Sequence, residues 1–211
     1  MELRAPRRAD DLGPGGRDAL NRAADVAIAG AALVVASPLL GLAALATKLE
    51  GRGPVLYRQT RVGRDSVDFE LVKLRTMVVG AETMGAGYAV DEDDTRITRV
   101  GRLVRRLSVD ELPQLWNVIR GEMSVIGPRP TLRYQVERYD ACQARRLEVK
   151  PGITGWAQVH GRAALPWAER IELDVWYVEH RSPRVDLRIL AKTPRALFGG
   201  TYRGATGGWR S

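Results

Sequence analysis

The sequence predicts an α/β fold, mostly α, built as an apolar N-terminal membrane segment followed by a small domain with a short β-hairpin and amphipathic surface helices. Three observations carry this. Residues 26–47 run without a charge, and Ser37-Pro38 interrupts that run. The stretch VDFELVKLR at 67–75 alternates apolar and polar residues, the period of a half-buried strand. Beyond residue 95 the apolar residues recur at helical spacing, with arginines between them.

Taken in order, residues 1–20 are rich in Arg, Asp and Gly, and read as a mobile tail. Residues 21–50 form the membrane segment. Its uncharged core is long enough to cross a hydrocarbon layer of about 30 Å. A cleaved signal peptide is a poor match, because a long preceding segment containing acids is unlike a short basic n-region. Arginines and lysines flank both ends (Arg17 and Arg22 before, Lys48 and Arg52 after), so positive charge favours the cytoplasm at both. Pro38 lacks an N–H and clashes with the preceding turn, which bends or breaks a helix. A re-entrant hairpin, a Pro-kinked span and a buried core helix all remain open on these grounds.

In the domain expected over 51–200, VLYRQ and VDFELVKLR pair as strands around a turn containing Gly63. Residues 80–95 read as an exposed loop. RITRVGRLVRRLS places Ile97, Val100, Leu103, Val104 and Leu107 on one helical face, a basic amphipathic helix suited to an anionic surface or a phosphate. ELPQLWNVIRGE is a further helix ended by Gly121, and SVIGPRPT is a loop stiffened by Pro128 and Pro130. Residues 131–147 read as helical, KPGITGWAQVHGR as a Gly-rich connection, and 165–180 and 185–198 as helices. Residues 201–211 form a flexible tail.

Charge narrows the partners. The 211 residues carry 33 Lys and Arg against 25 Asp and Glu, a net +8, with a pI near 10.1. Such a chain favours polyanions: nucleic acid, anionic lipid or phosphorylated substrates. Cys142 is the single cysteine, so an intramolecular disulfide and a Cys-based metal site are excluded. His160 and His180 are too far apart for a short metal motif.

Asp110-Glu111 is the acidic pair with chemical potential. Ser108 and Glu111 have capping-box spacing, so the pair is also explained by a helix start. Alternatively, one carboxylate attacks phosphorus and its neighbour holds Mg²⁺, which takes one or two carboxylates plus substrate phosphates. Lys73, Arg75, Arg105 and Arg129 are candidate phosphate-binding cations. Alternation near a strand end puts Lys73 and Arg75 on one face, and two prolines restrict the backbone around Arg129.

The chain resembles the bacterial sugar transferase family, the small monotopic polyprenyl-phosphate phosphoglycosyl transferases. The resemblance runs from about Asn21 to Phe198. It lies in Ser37-Pro38, KLRTM at 73–77, the block DDTRITRVGRLVRRLSVDELPQLWNVIRGEMSVIGPRP at 93–130, KPGITGWAQVHGR at 150–162 and ELDVWYVEH at 172–180. It implies a re-entrant membrane helix turned back at Ser37 and Pro38, a catalytic domain on the cytoplasmic face of the bacterial inner membrane, and transfer of a phosphosugar from a UDP-sugar to polyprenyl phosphate. By the same resemblance Asp110 is the nucleophile and Glu111 the Mg²⁺ ligand. Lys73, Arg105 and Arg129 match phosphate-handling positions, and Asp174 matches a further active-site acid. Larger members carry additional N-terminal spans, for which this sequence has no room. His160 departs from the family's usual Asn. Trp156, Trp167 and Trp176 are candidates for interfacial anchoring or for core packing. A homodimer is compatible with the resemblance. Two rival classes are a membrane-tethered nucleic-acid-binding module, which the acids beside the basic helix disfavour, and a non-catalytic assembly scaffold, which the intact acidic pair disfavours.

Overall fold

The computed structural model describes residues 14–84, 94–161 and 165–198; the tail expected over 201–211, and most of those expected over 1–20 and of the loop over 80–95, fall outside them. Helix α1 (Pro14–Glu50) runs without interruption through Pro38, so the chain does not form two separate arms, and the helix starts earlier than residue 21. The reason is local. Pro38 has no N–H to give to the carbonyl of Val34, and the Ser37 hydroxyl donates to that carbonyl at 2.7 Å instead. A serine back-bonded in this way relieves the orphaned acceptor and lets the helix continue.

Most of α1 is uncovered. Val35 is 81% exposed, and Val34, Leu42, Leu45 and Leu49 are also exposed; by length and composition the helix is able to cross a membrane. One stripe along its length nevertheless belongs to the domain. Ala29 packs with Phe69, Leu71, Leu115, Val118 and Met123, and Ala43 with Leu74, Val104 and Val109. Arg22 donates to the carbonyls of Val118 and Ile119, and Asp25 accepts from Ser124 Oγ and the Val125 amide.

The hairpin forms as the alternation predicts. Strand β1 (Leu56–Val62) lies antiparallel to β2 (Asp68–Leu74), with Leu56 opposite Leu74 and Val62 opposite Asp68. The turn takes its left-handed conformation at Asp65 and Ser66 rather than at Gly63. Helix α2 (Arg99–Arg106) is capped by Thr98, whose hydroxyl accepts from the Gly101 amide. The apolar stripe expected from Ile97 to Leu107 is divided: Ile97, before the helix, and Val104 are buried, whereas Leu103 and Leu107 are exposed. Helix α3 (Gln114–Arg120) ends at Gly121 in the left-handed region. Asn117, wholly buried, ties α3 to β2: it accepts from the Val72 amide and donates to the carbonyl of Glu70.

The remaining domain holds the clearest departures. SVIGPRPT opens with strand β3 (Ser124–Ile126), and the expected connection at 150–162 contains β4 (Gly152–Thr154), parallel to β3. Residues 131–147 form two single helical turns, α4 (Arg133–Val136) and α5 (Ala141–Ala144), followed by a 3-10 turn. After α6 (Trp156–Val159) come α7 (Trp167–His180) and α8 (Pro183–Phe198). Trp156 and Trp176 stack at 4.5 Å against the cluster of Tyr177, Val185 and Ile189, a packing role for both. Glycines let β3 and β4 close: a Cβ on Gly127 would lie 2.3 Å from the Lys150 carbonyl, and one on Gly152 would lie 2.0 Å from the Gly127 nitrogen. This contact fixes the start of the Pro128-Arg129-Pro130 loop.

Candidate active site

The acidic pair sits on a 3-10 turn over Val109–Glu111, between α2 and α3. It is not a helix cap. The Ser108 hydroxyl is buried without a hydrogen-bond partner, and no side chain caps this turn or α3. Ser108 instead adopts φ 55°, a left-handed conformation that a non-glycine residue holds only when its surroundings impose it. Val109 is anchored in the core beside Leu74 and Val104, and Asp110 and Glu111 follow directly, both buried.

Strand β2 brings Lys73 to the same place, with Nζ 3.6 Å from Glu111 Oε1. The loop after β3 brings Arg129, whose Nη2 donates to Glu111 Oε1 at 2.6 Å. Arg105, on the last turn of α2, donates from Nε to Thr76 Oγ1 at 2.7 Å, and its charge acts on Asp110. Lys73, Arg105, Asp110, Glu111 and Arg129 therefore converge, from four separate chain segments.

Burial pushes the Asp110 carboxyl up to about 6, and the Glu111 charge adds to this; Lys73, Arg105 and Arg129 oppose the rise. Burial also holds the Lys73 ammonium below its ordinary value, with Glu111 pulling the other way and Arg129 reinforcing the depression. Asp110 Oδ1 is buried without a hydrogen-bond partner. The desolvated Asp110 carboxylate, with one oxygen free beside several cations, has the chemistry to act as a nucleophile or a cation ligand; Asp174 Oδ1 is also buried without a partner.

Mg²⁺ fits these residues in a limited way. Among the described residues no three His, Cys, Asp or Glu cluster as a protein-only cage. Two adjacent carboxylates, one with an unpartnered oxygen, suit a hard cation whose other ligands are phosphate oxygens and water. Glu111 is engaged by Arg129 and Lys73, so both cations would need to release it toward incoming phosphate.

Two expected site residues stand elsewhere. Arg75 lies past the end of β2, so alternation no longer governs it. Its guanidinium donates to the carbonyls of Thr47, Gly51 and Arg52. Asp174, on α7, is one side chain removed: its Oδ2 accepts from Arg146, which also donates to the carbonyl of Arg129 and to Tyr139 Oη. Burial raises the Asp174 carboxyl to about 6 against the pull of Arg146. Asp174 thus supports the backbone that presents Arg129.

Two further residues join the group. Arg61 on β1 donates to Gln59 Oε1 and to the carbonyl of Pro130; burial and the nearby Arg129 hold its guanidinium down to about 10. Alternation along β1 puts Tyr57, Gln59 and Arg61 on one face, and that signal was legible. Arg146 had no such signal, since its partners are distant in sequence.

A family model described as bacterial sugar transferase matches residues 16–200. The chain is 47% identical over 151 residues to the uncharacterised sugar transferase EpsL of Bacillus subtilis, covering 72% of this chain and 73% of that one. It is 43% identical to a UDP-glucose:undecaprenyl-phosphate glucose-1-phosphate transferase of Caulobacter vibrioides, covering 86% of this chain and 70% of the relative. It is 42% identical to a UDP-N-acetylgalactosamine-undecaprenyl-phosphate N-acetylgalactosaminephosphotransferase of Aeromonas hydrophila, covering 86% of this chain but only 44% of that longer protein.

Proposed function

The chain belongs to the bacterial sugar transferase family, and from that premise we propose that it transfers a phosphosugar from a UDP-sugar to undecaprenyl phosphate, releasing UMP. The Caulobacter vibrioides and Aeromonas hydrophila relatives are named for transfer of different sugars, glucose and N-acetylgalactosamine, to that lipid, so the family does not fix the donor. The observation that carries the reading is the buried Asp110 carboxylate, with one unpartnered oxygen, beside Glu111 and within the field of Lys73, Arg105 and Arg129.

The reaction runs in two displacements. An Asp110 oxygen attacks the phosphorus that bears the sugar; the bond from that phosphorus to the bridging oxygen breaks, and UMP leaves. A phosphoglycosyl-aspartate remains. An oxygen of the lipid phosphate then attacks the same phosphorus, the bond to Asp110 breaks, and the carboxylate is restored. The sugar–oxygen bond is untouched, so anomeric configuration is retained. Mg²⁺ held by Glu111 would neutralise the diphosphate. Lys73, Arg105 and Arg129 spread positive charge over the phosphoryl oxygens, and burial of the site strengthens that attraction. With a pKa of about 6, Asp110 is ionised at neutral pH yet poorly solvated, as a nucleophile should be.

The contacts of α1 support a monotopic placement. Arg22 and Asp25 near one end, and Thr47 and Glu50 at the other, all bond to the same domain. A crossing helix would carry those ends to opposite faces of the bilayer, whereas here one stripe of α1, including Ala29 and Ala43, packs on the domain, so its exposed apolar face would lie along one membrane surface, the cytoplasmic one.

The test uses the full chain in nanodiscs with Mg²⁺ and a panel of UDP-sugars. UMP release on adding undecaprenyl phosphate, with a phosphosugar-sized adduct on intact mass when lipid is withheld, is the expected result; Asp110→Asn should abolish both. UMP release with no adduct under rapid quench would reject the covalent route. Release that persists in Asp110→Asn would reject the nucleophile.

A further inference from the structure

The C-terminal end of α1 is tied to the two elements that carry cations of the site. Arg75 follows Lys73 by two positions and is buried. Its Nη1 donates to the carbonyl of Arg52 at 2.8 Å, and its Nη2 donates to the carbonyls of Thr47 at 3.1 Å and Gly51 at 3.0 Å. The Thr47 carbonyl is among those that the end of a helix leaves unsatisfied, and Gly51 and Arg52 follow the helix directly. The Arg75 amide also donates to the carbonyl of Val55 at 2.8 Å, so the segment after the helix is held by both the guanidinium and the backbone of Arg75. This arrangement requires a glycine. Gly53 has φ +118°, and a Cβ there would lie 2.3 Å from Arg75 Nη1. A second latch joins α1 to α2, where the Glu50 carboxylate accepts from the Val100 amide at 3.0 Å; α2 carries Arg105.

We propose that Arg75, enclosed by the loop around Gly53, is a positioning residue for the lipid acceptor: it fixes where the apolar helix leaves the domain relative to Lys73 and Asp110. This rests on the transferase reading above. A UDP-sugar reaches Asp110 from water and is indifferent to the depth at which the domain sits. A polyprenyl phosphate has its phosphate held at the membrane surface by its tail, so its approach depends on the angle and height set by α1. Loosening the clamp therefore slows the acceptor step and spares the donor step.

The experiment compares wild type with Arg75→Gln and Gly53→Ala, each in nanodiscs. Neither residue contacts the acidic pair, and the second variant leaves the guanidinium chemistry intact. Adduct formation from UDP-sugar without lipid should stay within about threefold of wild type, while KM for undecaprenyl phosphate rises about tenfold or more, the scale on which small misplacements act. A short-chain prenyl phosphate dissolved in detergent, free of the membrane constraint, should restore both variants to near wild-type turnover. Equal loss of donor and acceptor steps would overturn the proposal in favour of a direct phosphate-binding or folding role. Unchanged acceptor KM in both variants would overturn it as well. If wild type releases UMP without an adduct, the covalent route fails on its own, and the ratio of donor KM to acceptor KM still decides the role of Arg75.

Discussion

Replacing the proposed nucleophile should make the protein more stable. Asp110 is 5% exposed, one of its oxygens has no partner, and its carboxyl stands at about 6 against an ordinary 3.8. The folded-state value is raised, so between these values the unfolded chain has released a proton that the folded chain keeps. Stability contributed by this group is therefore lost as pH rises from about 4 to about 6, and the deficit persists above that. At about 1.4 kcal/mol per pH unit, the displacement amounts to at most roughly 3 kcal/mol. Asn is neutral at every pH and avoids it. Asp110→Asn should accordingly gain about 1–3 kcal/mol at pH 7.5, seen as a higher midpoint in urea unfolding at unchanged slope. At pH 5 the wild-type carboxyl is mostly protonated when folded, and the gain should fall to about half. The assay is urea titration of both proteins in the same nanodiscs at the two pH values. An Asn variant less stable than wild type at pH 7.5, or a difference unaltered between pH 5 and 7.5, would refute the account of Asp110 as a desolvated, unpaired carboxylate.

Three other outcomes follow from the same geometry. The rate of adduct formation should climb about tenfold per pH unit below 6 and level off above 7, because only ionised Asp110 attacks; rapid-quench mass spectrometry over pH 5–8 reads this, and a flat profile contradicts it. Arg129→Ala removes the 2.6 Å partner of Glu111 and should lower kcat/KM for the UDP-sugar by about 10²–10³, with Arg129→Lys recovering part of it; steady-state UMP release measures both. Gly152→Ala sets a methyl group 2.0 Å from the Gly127 nitrogen and should destabilise the fold by about 2 kcal/mol or more. Its urea midpoint should fall, whereas a neutral result would mean that β3 and β4 separate easily.

The sequence made some features legible because they are local. The β1–β2 hairpin follows from alternation, α3 from its apolar run and the Gly121 stop, and α7 and α8 from helical spacing. The pair Asp110-Glu111 with Lys73, Arg105 and Arg129 also came from the sequence, though mainly through resemblance, since spacing alone equally described a capping box. What escaped notice depends on distant partners. Strands β3 and β4 are three residues each, too short to show alternation, and pair across 25 intervening residues. Arg75 was placed by continuing a pattern one residue beyond the end of its strand. Leu103 and Leu107 share a helical period with Val104, yet only the packing of α2 decides which side of the stripe is covered. Arg146 joins Asp174, Tyr139 and the Arg129 carbonyl through a geometry that no sequence period encodes.

The sharing of Ala29 and Ala43 between α1 and two apolar clusters bears on how this protein can be dissected. Deleting residues before 51 to obtain a soluble fragment would remove more than an anchor. Phe69, Leu71, Val118 and Met123 would lose their cover on one side, and Leu74, Val104 and Val109 on the other. Arg75 would be left buried without its Thr47 carbonyl acceptor, and Val118 and Ile119 without the guanidinium of Arg22. The helix is a wall of the interior, so truncation trades insolubility in water for an opened core.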